Sequence, residues 1–197
     1  MTERLKPKLL FHSCCAPCSG YLVSKLVDNF EVTVYYHNPN IHPESEYQIR
    51  KNEAKDFFTA HGTKFVEIKY DHDKWLELAK GLEQEPERGK RCLRCYHFRL
   101  ESTAKYAKEN GFDFFASSLA ISPYKNSKIL NNIGRALSKK VGIDFIDEDW
   151  KKKDGYKKAT EFSKNYNFYR QNYCGCEFST QNTKHITGNT QRITCNI

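Results

Sequence analysis

Residues 8–37, KLLFHSCCAPCSGYLVSKLVDNFEVTVYYH, contain two β-rich runs on either side of a run with helical periodicity. The first run predicts a strand over residues 8–13, the middle a helix over 19–28, and the last a strand over 32–37. Strand, helix and strand in this order form a parallel pair joined by a right-handed crossover. This unit therefore predicts an α/β fold, and the rest of the chain can be compared with it.

The rest of the chain continues the alternation of strands and helices. Further strands are predicted at residues 64–70, 112–117 and 143–146, and helices at 43–60, 73–80, 92–109, 126–140 and 155–165. We expect an α/β fold with a single doubly wound, Rossmann-like (HUP-like) domain and a mainly parallel sheet. The domain is expected to span residues 1–178. Residues 179–197 are rich in Thr, Asn and Gln, and we expect them to form a loosely ordered polar tail.

Composition and charge narrow the class of protein. The chain has 197 residues, 32 Lys and Arg against 24 Asp and Glu, and a formal charge of +8. The length suits one domain, and no apolar run approaches the roughly 18–20 residues of a membrane helix. Residues 1–8 are charged and precede only a short apolar run, unlike a signal peptide. We therefore expect a cytoplasmic protein without a membrane partner, in which thiols stay reduced.

Cysteine is the unusual feature of the composition, with eight residues in the chain. Seven lie in three groups: Cys14, Cys15 and Cys18; Cys92 and Cys95; Cys174 and Cys176. Cys195 stands alone, and we expect it to have no role. In a doubly wound sheet the ligand site lies beyond the carboxyl ends of the strands. The first group follows the first strand and residues 118–125 follow the fourth, so we expect the groups to converge at one rim.

Seven clustered thiols exceed the four that one structural zinc ion needs. They fit an iron–sulfur cubane beside a second metal or a redox dithiol. Gly175, between Cys174 and Cys176, would allow the tight bend that points both sulfurs at one centre. Basic residues between positions 88 and 99 would offset thiolate charge. One structural zinc with spare thiols remains an alternative, as does a thioredoxin-like pair at Cys15 and Cys18.

Four motifs resemble those of a known family, the cobalamin-independent epoxyqueuosine reductases (QueH family). They are H-x-C-C-A-P-C at residues 12–18, R-C-x-x-C-Y at 91–96, S-P-Y-K-N at 122–126, and Y-R-Q-x-Y-C-G-C-E-F-S at 169–179. The resemblance covers residues 9–179, and the last motif is its most specific part. It implies an oxidoreductase that removes the epoxide oxygen of epoxyqueuosine at the wobble position of tRNA, giving queuosine.

The resemblance also implies the cofactors and their ligands. A 4Fe–4S cluster would be held by Cys14, Cys15, Cys92 and Cys95, with neither cobalamin nor ATP required. The two cysteines Cys174 and Cys176 would then form a redox-active dithiol or, together with Cys18, bind a single iron. An external electron donor would be needed.

Removing an epoxide oxygen as water consumes two electrons and two protons, so a proton donor is required. Tyr124, Lys125 and His12 are the candidates. A packed histidine at a strand end is the alternative for His12, and a simple Ser-Pro-Tyr turn is the alternative for the other two.

The expected macromolecular partner is the tRNA anticodon stem-loop. Residues 119–170 hold 12 Lys and Arg against 6 Asp and Glu. Lysines there would bind phosphates, while Trp150 and Tyr156 would stack on loop bases. A solvated basic surface is the alternative. Two rival functions are an iron–sulfur tRNA thiolation enzyme of the PP-loop type and a zinc-stabilised RNA-binding module. The first rival needs a glycine-rich phosphate loop, but thiols occupy that place at residues 13–18.

Overall fold

A computed structural model describes residues 6–179 and shows an α/β fold around one parallel sheet. The strands are β1 Lys8–His12, β2 Glu31–Tyr36, β3 Lys64–Glu67, β4 Phe114–Ser117 and β5 Asp144–Phe145. The helices are α1 Ala16–Leu26, α2 Glu44–Ala60, α3 His72–Ala79, α4 Lys90–Glu109, α5 Ser127–Val141 and α6 Gly155–Asn165. The predicted α/β class is confirmed. Most of the predicted tail, residues 180–197, lies outside the described residues.

The strand order β3-β2-β1-β4-β5 places the topological switch between β1 and β4. All four strand pairings are parallel. The chain first winds outward from β1 to β3 and then returns to the other side of β1. A switch of this kind opens a crevice at the carboxyl ends of the two central strands. The segments that follow β1 and β4 are therefore the ones placed to build a site.

Strand β1 is buried on both faces, which explains why its sequence is apolar without alternation. Leu9 and Phe11 belong to one core cluster, and Leu10, between them, belongs to a second one across the sheet. All three side chains are fully buried. Helices α1, α2 and α6 pack against one another on the first side, and α4 packs with α5 on the other. Two cores separated by one sheet thus hold the rim in place.

Two helix starts that bear on the site, and one short helix, differ from the sequence prediction. Helix α1 begins at Ala16, three residues before the predicted start, because Pro17 suits the first turn of a helix. Cys18 therefore lies in that first turn. Helix α4 begins at Lys90, so its two cysteines are one turn apart. A short 3-10 helix, Ser118–Ile121, follows β4 and was not predicted. None of the helices between residues 6 and 179 is long and apolar enough to cross a bilayer.

The packing of α5 on β5 gives a stability prediction. A Cβ atom at Gly134 would lie 2.6 Å from Phe145 Cδ1 and closer still to two other ring carbons. Glycine to alanine in a helix normally stabilises by about 1 kcal/mol, but overpacking costs about 1–3 kcal/mol. We expect Gly134→Ala to lower the free energy of unfolding by about 1–2 kcal/mol in urea titrations. Ala136→Gly, at an exposed position of the same helix, should lower it by about 1 kcal/mol through propensity alone. A more stable Gly134→Ala would contradict this packing.

Candidate metal centre and active site

The loops after β1 and β4 meet at the carboxyl edge of the sheet. The backbone N–H of Cys14 donates to Ser118 Oγ at 3.2 Å, and that hydroxyl donates to Cys14 Sγ at 3.4 Å. The two strands are direct neighbours, so this contact follows from the topology. The three cysteines after β1 lie at the crevice where the sequence predicts a site.

Cys14, Cys15 and Cys18 form a compact thiol triad. Their sulfur atoms all lie within 4.8 Å of one another. Cys15 and Cys18 are buried and Cys14 is partly buried. The side-chain amide of Gln171 donates to Cys15 Sγ at 3.0 Å. Three sulfurs at this separation can ligate one metal ion.

Charge within the triad is concentrated on one sulfur. The thiols of Cys15 and Cys18 donate hydrogen bonds to Cys14 and, with the positive charges of Arg99 and Lys125, hold its pKa well below the usual range. Burial, together with the neighbouring Cys14 sulfur, raises the pKa of Cys15 to about 12. The pKa of Cys18 is also raised, first by its hydrogen bond to Cys14. The Cys14 thiolate, which accepts hydrogen bonds from two thiols, would provide an anionic ligand for a bound cation.

The other four clustered cysteines lie together in a second group. Cys92, Cys95, Cys174 and Cys176 line one cleft, whose open space including its mouth is about 560 Å³. Trp75, Ala79, Cys95 and Cys176 form one buried apolar cluster, with Cys174 and Phe178 packed against it. Burial raises the pKa of Cys92 to about 11 and that of Cys176 to about 12, and the neighbouring thiols add to both shifts. All seven cysteines among residues 6–179 are free thiols.

Lys125 and Tyr124 lie between the two thiol groups. Both residues, with Arg99 and Cys174, line the four-cysteine cleft and also the neighbouring cleft that contains Cys14 and Cys18. Burial lowers the pKa of Lys125, but the electrostatic effect of the neighbouring sulfurs, that of Cys14 above all, outweighs it, so the net shift is upward. An ammonium group thus lies beside both sets of sulfurs. The structure brings these two sequence-predicted residues to the predicted rim.

His12 and Trp150 have packing roles. His12 is fully buried; its Nδ1 is 2.9 Å from Ser117 Oγ and its Nε2 is 3.3 Å from the carbonyl of His37. Burial lowers the pKa of His12 to about 3, so the ring stays neutral. The indole N–H of Trp150 donates to Ser117 O at 2.9 Å, and the ring packs edge-on against Phe11. These contacts favour the packing alternative for His12 and give Trp150 a packing role, while its stacking on loop bases stays a prediction.

The basic residues around the second cysteine pair divide into different roles. The guanidinium of Arg91 donates to the carbonyls of Leu82, Glu83 and Glu85 and so holds the loop before α4. Arg99 is buried, donates to Asn38 Oδ1 and approaches Cys95 Sγ at 3.9 Å. The charge of Arg99 acts to lower the pKa of Cys95, and the charge of Arg91 acts in the same direction on the pKa of Cys92 and Cys176.

The C-terminal motif reaches the site through contacts that sequence reasoning missed. Besides Gln171 on Cys15, Arg50 donates to the carbonyl of Tyr173 at 3.3 Å and stacks over its ring. Arg50 is buried and is also held by Glu46. Gly175 has φ of +101°, as its predicted tight bend requires. The sequence of α2 is polar around Arg50 and gives no indication that this side chain is buried. Gln171 could have been predicted as a site residue, because it belongs to the motif at residues 169–179.

Comparison with known proteins shows the family of this chain. A family model described as epoxyqueuosine reductase QueH matches residues 9–182. Relatives named epoxyqueuosine reductase QueH include one from Acinetobacter baylyi, 47% identical over 89% of this chain and 82% of its own. The relative from Thermotoga maritima is 37% identical over 87% and 89% of the two chains.

A solved structure supports the fold alone. The crystal structure of a predicted subunit of a tRNA methyltransferase from Methanocaldococcus jannaschii aligns with a TM-score of 0.53 at 17% identity. The alignment covers 79% of this chain and 74% of that one. With the family match over residues 9–182, the chain belongs to the QueH family of epoxyqueuosine reductases, oxidoreductases that act on tRNA.

Proposed function

We propose that this protein removes the epoxide oxygen of epoxyqueuosine in the tRNA anticodon loop, in the cytoplasm, with two adjacent metal centres and an external electron donor. The observation that carries the proposal is the division of seven thiols into a group of four and a group of three. Lys125 and Tyr124 stand between the two groups. Metal ligands of two kinds next to a proton-bearing side chain suit a reductive deoxygenation.

The four-cysteine cleft fits a 4Fe–4S cluster. Four thiolates are the ligand set of such a cluster, and hydrogen bonds to its sulfurs tune its potential. Trp75, Arg91 and Arg99 form part of the cleft wall. Four of their nitrogens are buried and have no hydrogen-bond partner among the described residues: Trp75 Nε1, Arg91 Nε, Arg91 Nη2 and Arg99 Nε. Buried donors normally have partners, so these four nitrogens call for an acceptor in or beside the cleft. Inorganic sulfides are acceptors of that kind.

The triad fits a single iron. Three thiolates would leave a coordination position open, and Gln171 and Ser118 hold two of the sulfurs through hydrogen bonds. We infer that Cys14, Cys15 and Cys18 bind this ion, while Cys92, Cys95, Cys174 and Cys176 hold the cluster. The resemblance implies another division, with the cluster on Cys14, Cys15, Cys92 and Cys95. That division stays a prediction, and metal analysis of variants separates the two.

When bound, the cluster would supply electrons and the single iron would polarise the epoxide oxygen. The chain itself must supply a proton and position the base. Lys125 is charged and lies beside both thiol groups, so its Nζ can deliver one of the two protons to the oxygen as the C–O bonds break, and solvent would supply the other. The backbone of Lys125 is held by a hydrogen bond, because Lys151 Nζ donates to Lys125 O at 2.7 Å. Tyr124 lines the same two clefts and is the second candidate donor.

An anaerobic turnover assay tests the proposed function. Purified protein with its iron and sulfide quantified is incubated with a strong reductant and tRNA containing epoxyqueuosine, and the nucleosides are identified by mass spectrometry. We expect epoxyqueuosine to be replaced by queuosine, which has one oxygen fewer. Protein that contains zinc, no sulfide and no colour, and that leaves the epoxide intact, would instead support the zinc-stabilised RNA-binding module.

The basic surface next to the site is the proposed tRNA contact. Lys152 and Lys153 are exposed in the loop before α6, and Lys157 is exposed in the first turn of that helix. Lys151 attaches this loop to Lys125 through a hydrogen bond. When lysines bind phosphates, the affinity for tRNA falls as the salt concentration rises. A plot of the logarithm of the binding constant against the logarithm of the salt concentration steepens by roughly one unit for each such contact. Lys151, in the same loop, contacts Lys125 at the rim, so a bound anticodon loop would present its unpaired base there.

We expect Lys152→Ala and Lys157→Ala each to weaken tRNA binding and to reduce the salt slope by about one. Binding isotherms at several salt concentrations measure both effects. Lys25→Ala is the matched control, because Lys25 is exposed near the end of α1, at the edge of the sheet away from the rim. Equal slopes for all three variants and the wild type would contradict a contact at this surface.

A further inference from the structure

A second group of metal-ligating side chains lies outside the seven thiols. The ligand atoms of His42, His72 and Glu177 are all within 4.8 Å of one another. His42 lies in the loop after β2, His72 is the first residue of α3, and Glu177 directly follows Cys176. Three separate segments therefore converge here, and one of them is the cysteine segment itself.

The hydrogen bonds of His72 point to a cation. Its Nδ1 is 2.8 Å from Pro39 O and its Nε2 is 2.8 Å from Glu177 Oε1. A neutral imidazole carries one N–H, but both Pro39 O and the Glu177 carboxylate can only accept, so one ring nitrogen must face an acceptor with its lone pair. With the N–H on Nδ1, that nitrogen is Nε2. The lone pair of Nε2 then faces a carboxylate oxygen. Either a second proton or a metal ion must lie between Nε2 and the carboxylate.

His42 favours the metal ion over the second proton. Its ring stacks on that of His72 with centroids 4.9 Å apart and an interplanar angle of 25°. A metal ion would be shared by both imidazoles, whereas a proton serves only one of them. The open cleft around the rings also contains Glu44, Asp71 and Asp73 against a single lysine. The local charge thus attracts a cation.

We propose that His42, His72 and Glu177 bind a zinc ion. Two imidazoles and a carboxylate suit zinc, whereas magnesium and calcium prefer oxygen ligands alone. A ligating histidine usually donates its other N–H to a backbone carbonyl, as His72 does to Pro39. A water molecule would complete a tetrahedral site.

The zinc site would hold the segment that contains Cys174 and Cys176 without using either sulfur as a ligand. The backbone N–H of His42 already donates to Gly175 O at 2.8 Å. Zinc on Glu177 would add a second attachment two residues further along the chain. Cys174 and Cys176 would thereby be fixed relative to α3 without either sulfur ligating zinc. The site is distinct from the proposed reductase centre and does not depend on its chemistry.

Cobalt binding to iron-loaded protein tests the proposal, because the thiols are then occupied. We expect the wild type to bind one equivalent of Co²⁺ with ligand-field bands but without thiolate-to-cobalt charge transfer. Zn²⁺ should displace it. His42→Ala and Glu177→Gln should weaken binding more than about tenfold. His97→Gln is the control, because His97 faces Glu101 at 3.9 Å on α4 without a third ligand nearby in the described part of the chain; it should bind as the wild type does.

Two results would overturn the zinc site. One is no cobalt binding by the wild type, which would leave His72 and Glu177 as a simple ion pair. The other is equal binding by His42→Ala, Glu177→Gln and wild type, which would place the cobalt elsewhere. Iron, sulfide and epoxide reduction are measured on the same preparations. Failure of the zinc site with intact reduction is thereby separated from failure of the reductase itself.

Discussion

Replacing Cys174 with alanine is expected to abolish the iron–sulfur cluster. Cys174 shares one cleft with Cys92, Cys95 and Cys176, so the variant leaves three thiols where four are needed. Acid-labile sulfide in anaerobically purified protein should fall from about four per chain to near zero, with loss of the brown absorption. Epoxide reduction should become undetectable, because no cluster remains to supply electrons.

Cys18→Ala is the matched control for that experiment. Cys18 belongs to the triad, whose sulfurs lie within 4.8 Å of one another and can serve one ion. This variant should retain about four sulfides per chain and lose about one iron. The opposite pattern for Cys14→Ala, with sulfide lost, would show that Cys14 is a cluster ligand. It would favour the division that the family resemblance implies.

Removing the charge of Lys125 is expected to have the second largest effect. Lys125→Met should lower the single-turnover rate of epoxide reduction about 100-fold to 1,000-fold, because proton donation and electrostatic stabilisation are lost together. Iron, sulfide and tRNA affinity should stay unchanged, which separates a role in the reaction from a role in assembly. Lys125→Arg keeps a charge but donates a proton poorly, so it should recover little of the rate.

Lys128→Met is the control for Lys125. Lys128 is exposed in the first turn of α5, three residues away, and it lines neither cysteine cleft. Its removal should change the single-turnover rate less than about twofold. A wild-type rate in Lys125→Met would exclude Lys125 as the proton donor. Tyr124→Phe would then be the next variant to measure.

Local patterns were sufficient to predict the fold. The five strands and six helices carry the periodicity and turn residues that distinguish them, and the alternation implies a parallel sheet. The placement of Cys14 and Lys125 at one rim followed from that topology alone. The 3-10 helix at Ser118–Ile121 was missed because a single short turn has no periodicity to detect.

The grouping of the cysteines could not be predicted because it depends on long-range contacts. Gln171 reaches Cys15 across 156 residues, and Arg50 reaches Tyr173 across 123. These contacts determine where the Cys174–Cys176 segment lies, and no local pattern encodes them. The same holds for Arg99, whose sequence context suggests an exposed helical face although its side chain is buried against Cys95.

Anomalous diffraction at the iron edge, from crystals of anaerobically purified protein, tests the two-centre account most directly. We predict a strong peak enclosed by Cys92, Cys95, Cys174 and Cys176, and a separate weaker peak at Cys14, Cys15 and Cys18, with Lys125 between them. A strong peak on Cys14, Cys15, Cys92 and Cys95 would contradict this division. A zinc signal in place of iron would contradict the reductase chemistry altogether.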